Sequence, residues 1–225
     1  KGVEPKIAPD AFVAPDATVV GNVELYNKSS IWYNCVVDGS NERFCYPIVN
    51  AILLAKHLVR IGAFTNIQDE TVITEAAEPL GVDHDGSTIV GNYVTGVRTT
   101  YYKNNKLTFA TGHRCVLRGC TVENLCIVGM GSVLNEGSYM ERESILGAGS
   151  VLMANARVPK HQGGFTKLAK FNSNSNIIYL AGAGNPAKFV RKLTQEELDG
   201  IRASSIKYWK IARDHMLEYY LPDNF

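Results

Sequence analysis

The sequence lacks long apolar runs and an excess of charge of either sign. Its longest apolar run, AILLA at residues 51–55, is far shorter than the roughly 20 residues that a membrane-spanning helix needs. Lys and Arg number 23 and Asp and Glu number 22, which gives a net charge of +1. The charge therefore provides no electrostatic basis for binding nucleic acid or an acidic membrane surface.

Cysteine is scarce and forms no CxxC pair. The five cysteines are Cys35, Cys45, Cys115, Cys120 and Cys126. An odd, scattered set favours reduced, buried thiols in an intracellular or matrix compartment over a disulfide framework. The first residue is Lys1 rather than a start methionine, so we expect a processed or incomplete chain whose targeting peptide lies outside this sequence.

The strongest positive feature is a repeat of six residues. Aliphatic residues recur at this period from Ile7 to Val37, again from Ile61 to Ile73, and again from Val122 to Val158. The position four residues after the aliphatic one is often small. Each hexad then supplies a short strand with its aliphatic side chain inside a triangular solenoid, and the small residue allows a tight corner. We predict a mainly β, parallel β-helix domain over residues 1–193, and the period alone does not decide its handedness.

Four segments interrupt the period. Residues 41–58 are partly apolar, and residues 96–110 predict a hairpin whose Thr-rich and Tyr-rich arms flank KNNK. Residues 163–178 are rich in Gly, Asn and Ser and predict a loop. A fourth departure at 75–88 is also loop-like.

A long helix is predicted at the C-terminus, over residues 194–220. Thr194 followed three residues later by Glu197 forms a capping box. Apolar residues then recur at near-helical spacing, with neither Gly nor Pro between Gly200 and residue 220. We expect the apolar stripe to pack on one outer face of the β-helix.

Two motifs resemble the metal-site segments of one family. TNIQD at residues 65–69, followed by GH at 112–113 and LRGC at 117–120, resembles gamma-class carbonic anhydrases and their relatives attached to mitochondrial respiratory complex I. The similarity extends to SIWYNCV, IVGMGS and GNPAKFVRKLT and so covers nearly the whole chain. It implies the left-handed form of the β-helix and a trimer whose zinc ions lie between subunits.

The resemblance also implies which positions would bind zinc. One subunit supplies two histidines and its neighbour the third, and the three positions hold Thr74, His113 and Arg118 here. The family's RGD motif is replaced by VDGS at 37–40. A catalytic zinc needs about three protein ligands and an open position for water, and Arg118 would place a permanent cation beside the metal. We therefore expect no catalytic residues, no cofactor of the chain's own and no enzyme activity by itself.

His113 leaves two interpretations open. It either completes a zinc site whose other ligands belong to a different neighbouring subunit, or it is a remnant that forms hydrogen bonds across an empty interface. Asn66 and Gln68 match polar residues near the family's substrate, but corner amides usually satisfy local backbone groups, and we expect that role for both.

The remaining histidines and cysteines suggest no metal site. His57, His84, His161 and His215 have no partner at metal-ligand spacing. The two cysteines that flank Arg118 are expected to be small buried thiols rather than ligands.

We interpret the chain as a non-catalytic, structural subunit of a trimer, and three alternatives compete with this interpretation. By resemblance the trimer would be heteromeric, contain other gamma carbonic anhydrase-like subunits, and assemble on membrane-arm subunits of complex I, the NADH:ubiquinone oxidoreductase, at the matrix side of the inner membrane. The alternatives are an active zinc carbonic anhydrase or hydrolase, a hexapeptide acyltransferase with His84 as general base, and an adaptor subunit of a cytoskeletal motor.

Overall fold

The computed structural model describes residues 3–40, 58–77, 85–99, 109–160, 162–163 and 185–220. Within these ranges the chain forms twenty-two short strands and one helix, α1, at Gln195–Tyr220. The strands in chain order are β1 Lys6–Ile7, β2 Phe12–Val13, β3 Thr18–Gly21, β4 Val23–Leu25, β5 Ser30–Ile31, β6 Val36–Gly39, β7 Val59–Ile61, β8 Asn66–Ile67, β9 Val72–Thr74, β10 Thr88–Val90, β11 Thr95–Thr99, β12 Phe109–Thr111, β13 Val116–Arg118, β14 Thr121–Val122, β15 Ile127–Gly129, β16 Val133–Leu134, β17 Tyr139–Met140, β18 Ile145–Leu146, β19 Val151–Leu152, β20 Arg157–Val158, β21 Gln162–Gly163 and β22 Arg191–Lys192.

The strands form three sheets, and the chain visits the sheets in turn. Sheet A has the order β1-β4-β7-β10-β14-β17-β20, and sheet B has β2-β5-β8-β11-β15-β18-β21-β22 with β12 beside β11. Sheet C has the order β3-β6-β9-β13-β16-β19. Pairing is parallel except for β11 with β12 and β21 with β22. Successive coils of one chain therefore stack to form a three-sided parallel β-helix.

The aliphatic residues of the six-residue repeat stack on one another inside the three-sided coil. In sheet C, Val37 pairs with Ile73, and Leu134 pairs with Leu152. All four side chains are buried, which confirms the repeat-based prediction of a parallel β-helix. Ile7 differs because it lies on the first described coil, where no described coil covers it, and it is 46% exposed.

The helix α1 covers the outer face of sheet B. At its start, the Thr194 amide donates to Glu197 Oε2 (2.9 Å) and the Glu197 amide donates to Thr194 Oγ1 (3.3 Å), which is the reciprocal pattern of a capping box. Ala212 packs against Phe12 and Trp32, and Ile201 packs against Ile127. The predicted C-terminal helix is thus confirmed.

The other two outer faces differ in chemistry. Sheet A presents charged side chains, with Glu24 paired to both Lys6 (3.2 Å) and Arg60 (3.3 Å). Sheet C presents a row of valines in direct register on five consecutive strands, partly or well exposed. This valine row comprises Val36, Val72, Val116, Val133 and Val151.

The interrupting segments lie only partly within the described residues. Of 96–110, the predicted hairpin is seen as β11 antiparallel to β12, with Val97 opposite Thr111. β11 also pairs with β15 through Val97, so the interruption begins later than predicted because this strand first completes a coil. Thr88 and Gly163 lie in strands, and the predicted segments 41–58, 75–88 and 163–178 otherwise lie mostly outside the described residues.

Candidate functional site

Thr74 and Arg118, two of the three positions that the resemblance assigned to zinc ligands, are neighbours on sheet C. They are Cα partners at the ends of the parallel strands β9 and β13, and Asp38 is the next partner of Thr74 on β6. Both side chains point to the outer face, because the intervening Ile73 and Leu117 point inward. The register thus brings the two positions together as a pair of metal ligands would require, but the side chains present there are a hydroxyl and a guanidinium.

Arg118 already has a carboxylate partner in the same chain. Its Nε lies 2.9 Å from Glu136 Oε1, and the same oxygen accepts a hydrogen bond from the amide of Ala77 (3.3 Å). The Arg118 side chain is 49% exposed. Glu136 lies on an adjacent corner of the same chain, so this ion pair forms without any contribution from a second subunit.

His113 lies at the other end of sheet C, in the corner that precedes β13. Its Nδ1 is 2.9 Å from Asp69 Oδ2, and Asp69 Oδ1 accepts a hydrogen bond from the Tyr33 amide (3.1 Å). A ring nitrogen that close to a carboxylate oxygen carries a proton, so in the neutral ring Nε2 is the nitrogen with the lone pair. Carboxylates orient metal-binding histidines in the same way.

The chain therefore carries two separate half-sites. The ligand-pair half consists of Thr74 and Arg118 at the end of their strands, and the histidine half consists of Asp69 and His113 at the corner before those strands. Zinc holds histidine nitrogens at about 2.0–2.1 Å, whereas a strand advances about 3.3 Å per residue. A single ion within one chain would have to span the length of β13, so the two halves do not form one metal site within this chain.

Asn66 and Gln68 are both buried, but they lie in different places and differ in their hydrogen bonds. Asn66 lies under α1, where its Oδ1 accepts from Ser30 Oγ (2.6 Å) and its Nδ2 donates to the Ser205 carbonyl of the helix (3.3 Å). Gln68 precedes Asp69 at the histidine half, and its Nε2 has no partner among the described residues. Asn66 therefore joins sheet B to the helix, whereas Gln68 leaves a buried donor beside the Asp69 corner.

The other histidines and the cysteines provide no second site within the described ranges. His57, His84 and His161 lie outside the described residues, and His215 lies on α1 with its Nδ1 3.1 Å from Tyr33 Oη. Burial raises the pKa of the Cys120 thiol to about 12 and that of Cys115 to about 11, so both stay protonated at neutral pH. Thiolates are the form that binds metal.

The described residues contain neither a cluster of metal ligands nor a helix suited to cross a membrane. Nowhere among them do three or more His, Cys, Asp or Glu side chains form a group that could hold a metal ion. In the same part of the chain, no helix combines the length and apolar character that a membrane crossing requires.

Sequence reasoning missed three residues of this site. Asp69 lies in the TNIQD motif itself, and that membership was the only signal that the sequence offered for it. Glu136 and Tyr33 carry no signal of their own, because their roles depend on which coil lies above which.

Comparison with known proteins identifies relatives over nearly the whole chain, although no family model matches the sequence. The chain is 34% identical over 221 residues to "Gamma carbonic anhydrase 1, mitochondrial" of Arabidopsis thaliana, covering 98% of this chain and 62% of that protein. It is 30% identical over 209 residues to "Protein YrdA" of Escherichia coli, covering 92% and 87%. The chain spans between 59% and 64% of the length of three Arabidopsis relatives of this name.

Solved structures give the handedness of the coil. A hexapeptide transferase family protein from Anaplasma phagocytophilum superposes with a TM-score of 0.66 at 29% identity, covering 96% of this chain and 93% of that one. Together with the three parallel sheets, this similarity makes the fold a left-handed parallel β-helix.

Proposed function

The chain belongs to the gamma carbonic anhydrase-like family of hexapeptide-repeat proteins, and from this premise we propose that it is a non-catalytic, structural subunit of a trimer. The observation that carries the proposal is the ligand-pair half-site. Thr74 and Arg118 occupy paired positions on sheet C, and Arg118 forms an ion pair with Glu136.

The residues of this chain do not fit a zinc site of its own. Thr74 offers a neutral hydroxyl where zinc prefers imidazole, thiolate or carboxylate. A metal next to Arg118 would experience repulsion from a guanidinium that stays protonated at every physiological pH. The family's hydration chemistry depends on a bound metal that activates water, so we propose that the isolated chain neither holds stoichiometric zinc nor hydrates CO2.

We place the contact between subunits on sheet C. Hexapeptide-repeat proteins typically form trimers, and the valine row gives this face an apolar stripe that neither of the other two sheets presents. Val36 and Val116 are each 37% exposed, and contiguous exposed apolar surface is typical of an interaction site. Sheet B is covered by α1, and charged side chains of Lys6, Glu24 and Arg60 follow one another across sheet A, so the valine row is the feature that favours sheet C as the buried face.

At that interface we propose that His113 supplies one ligand to a zinc whose other two ligands belong to a different subunit. The support is the 2.9 Å contact with Asp69, which selects the tautomer with its lone pair on Nε2. A mixed trimer is required, because the facing half-site of an identical copy would present Thr74 and Arg118. The alternative, an unmetallated interface with His113 as a remnant, is an outcome of the test below.

The proposed location is supported by the relatives rather than by the geometry. The Arabidopsis relatives are named mitochondrial gamma carbonic anhydrases, and the family resemblance extends to subunits attached to complex I. We propose that this chain assembles with other subunits of that kind on the membrane arm of complex I, at the matrix side of the inner membrane.

Measurements on the purified chain and on cell fractions test the proposal. Metal analysis of the purified homo-oligomer should find well under one zinc per subunit, and stopped-flow assays should find no CO2 hydration. Near-stoichiometric zinc with hydratase activity would refute the non-catalytic assignment, and binding of acetyl-CoA would favour an acyltransferase. A tagged chain should fractionate with mitochondria and migrate with complex I in native gels, and its absence from both would refute the location.

His113→Ala in the assembled complex tests the ligand in trans. If wild-type assemblies hold metal at the interface facing His113, the variant should lose it while Arg114→Ala, at the adjacent exposed position, retains it. Full metal occupancy in His113→Ala, or no metal at that interface in the wild type, would contradict this role.

A further inference from the structure

We propose that Tyr33 is a positioning residue that connects the docking of α1 to the ring of His113. The connection runs from His215 and Tyr219 on the helix, through Tyr33, to the carboxylate of Asp69. The inference rests on the proposed function only for its effect on a metal at the interface. The mechanical connection is a property of the isolated chain.

Tyr33, Asp69 and His113 lie directly above one another on successive coils. The amide of Glu70 donates to the Tyr33 carbonyl (2.9 Å), and the amide of Arg114 donates to the Asp69 carbonyl (3.0 Å). Glu70 and Arg114 have φ of 58° and 59°, the left-handed conformation that turns the chain at each corner. The three residues therefore form a column at the corner between sheets B and C, and a shift in one is transmitted to the next.

Asp69 uses both carboxylate oxygens within this column. Oδ1 accepts the Tyr33 amide (3.1 Å) and Oδ2 faces His113 Nδ1 (2.9 Å). A carboxylate held at one oxygen only can rotate about its terminal torsion, which is broad. The Tyr33 amide restricts that rotation and thereby fixes the direction from which Oδ2 meets the ring.

The side chain of Tyr33 is held in turn by α1. Its Oη donates to Tyr219 Oη (3.2 Å) and lies 3.1 Å from His215 Nδ1. The His215 ring also packs edge-on against Trp32, with ring centres 5.3 Å apart, and lies 6.3 Å from Phe12. The hydrogen bond with Tyr219 and burial raise the pKa of Tyr33 to about 12, so the phenol remains a donor at neutral pH.

A second contact holds the same segment of the β-helix to the helix. Asn66, three residues before Asp69, donates to the Ser205 carbonyl (3.3 Å) and accepts from Ser30 Oγ (2.6 Å). The TNIQD segment is thus tied to α1 near its start directly and near its end through Tyr33. Loss of the helix contacts should therefore loosen the corner that carries Asp69 before it disturbs the interior of the coil.

The test measures the tautomer of His113 in the isolated, histidine-labelled chain by nitrogen-15 NMR, with His113→Gln to assign its signals. The wild type should hold the proton on Nδ1. Asp69→Asn is the positive control. The Tyr33 amide requires an acceptor, so the Asn oxygen should face Tyr33 and the amide NH₂ should face His113, which moves the ring proton to Nε2.

Tyr33→Phe removes only the hydroxyl that meets the helix and keeps the ring and the backbone amide. We expect a mixture of His113 tautomers and at least threefold faster hydrogen exchange at the Arg114 amide. Tyr219→Phe, at a position that is 53% exposed and therefore not at risk of misfolding, should produce a smaller change of the same kind. Tyr139→Phe is the matched control, since its hydroxyl bonds to Glu123 on another face, and should leave His113 unchanged.

The inference would be overturned if both Tyr33→Phe and Tyr219→Phe kept the wild-type tautomer of His113 and the wild-type hydrogen-exchange rate at the Arg114 amide, even if zinc is found at the interface. Conversely, the expected NMR changes together with a metal-free assembled interface would refute only the ligand role of His113. If both hold, Asp69→Asn should weaken interface zinc about 10- to 100-fold, as loss of the partner behind a metal ligand does, and Tyr33→Phe should weaken it by a smaller factor.

Discussion

Replacing Thr74 and Arg118 with histidine should give the proposed trimer, assembled from copies of this chain, a zinc site that the parent residues do not supply. The two positions are Cα partners on adjacent strands and share the outer face of sheet C. Neighbouring strands lie about 4.8 Å apart, and zinc–nitrogen bonds of about 2.0–2.1 Å bring two ligand nitrogens within about 4 Å of each other. His113 of the next subunit would be the third ligand.

The cost of the exchange is small and the gain is measurable. The ion pair between Arg118 and Glu136 is half exposed, with side-chain exposures of 49% and 30%, and such pairs contribute at most about 1 kcal/mol. Zinc at 100 times its dissociation constant stabilises the bound state by about 2.7 kcal/mol. For a chain of 225 residues that corresponds to a rise in Tm of roughly 5 to 10 °C.

The assay combines zinc stoichiometry with thermal unfolding in the presence and absence of zinc. Thr74→His/Arg118→His should bind close to one zinc per subunit and show the zinc-dependent rise, and adding His113→Ala should abolish both. A folded, trimeric double variant with no more zinc than the parent would refute the assignment of the ligand pair. Retention of zinc by the triple variant would refute the role of His113, and a monomeric parent would refute the trimer.

Three further predictions concern the frame. Ile67 is 6% exposed, so Ile67→Asp would place an unpaired charge in the interior and should lower the free energy of unfolding in urea by several kcal/mol. The control Ile7→Asp, at a 46% exposed position, should change that free energy by less than about 1 kcal/mol. Equal effects of the two variants would mean that the repeat register is wrong. Burial raises the pKa of the Cys120 thiol to about 12. Alkylation of Cys120 at pH 8 should therefore be at least about 100-fold slower in the folded than in the unfolded chain, and equal rates would contradict its burial. The hydrogen bond from Arg191 is the main reason that the pKa of Glu197 lies below its ordinary value of 4.5. The stability that this interaction contributes is therefore present above pH 4.5 and lost as the pH falls through the lower folded-state pKa. Arg191→Ala should flatten the dependence of the unfolding free energy on pH in that acidic range and leave its slope above pH 6 unchanged.

The sequence by itself determined the coil. Six residues make one side of the solenoid and three sides make one coil, so residues 18 apart in an uninterrupted run lie on top of one another, as Leu134 and Leu152 do, and Val128 and Leu146. The capping box at Thr194 similarly fixed the start of α1, because its two hydrogen bonds join residues three apart in the chain. Both features depend on local spacing, which a sequence states directly.

The tertiary structure alone decided what surrounds each candidate ligand. Asp69 and His113 are 44 positions apart, with two interruptions of the period between them, so their contact could not be counted from the repeat. Glu136 reaches Arg118 because the corner after β16 lies next to the end of β13, the neighbouring strand in sheet C. Asn66 belongs to the same motif as Asp69 but lies on sheet B rather than at the corner, and only the helix that packs over sheet B explains its hydrogen bond to Ser205. A motif states which residues occupy a site, whereas the register between coils and the docked helix decide what those residues touch.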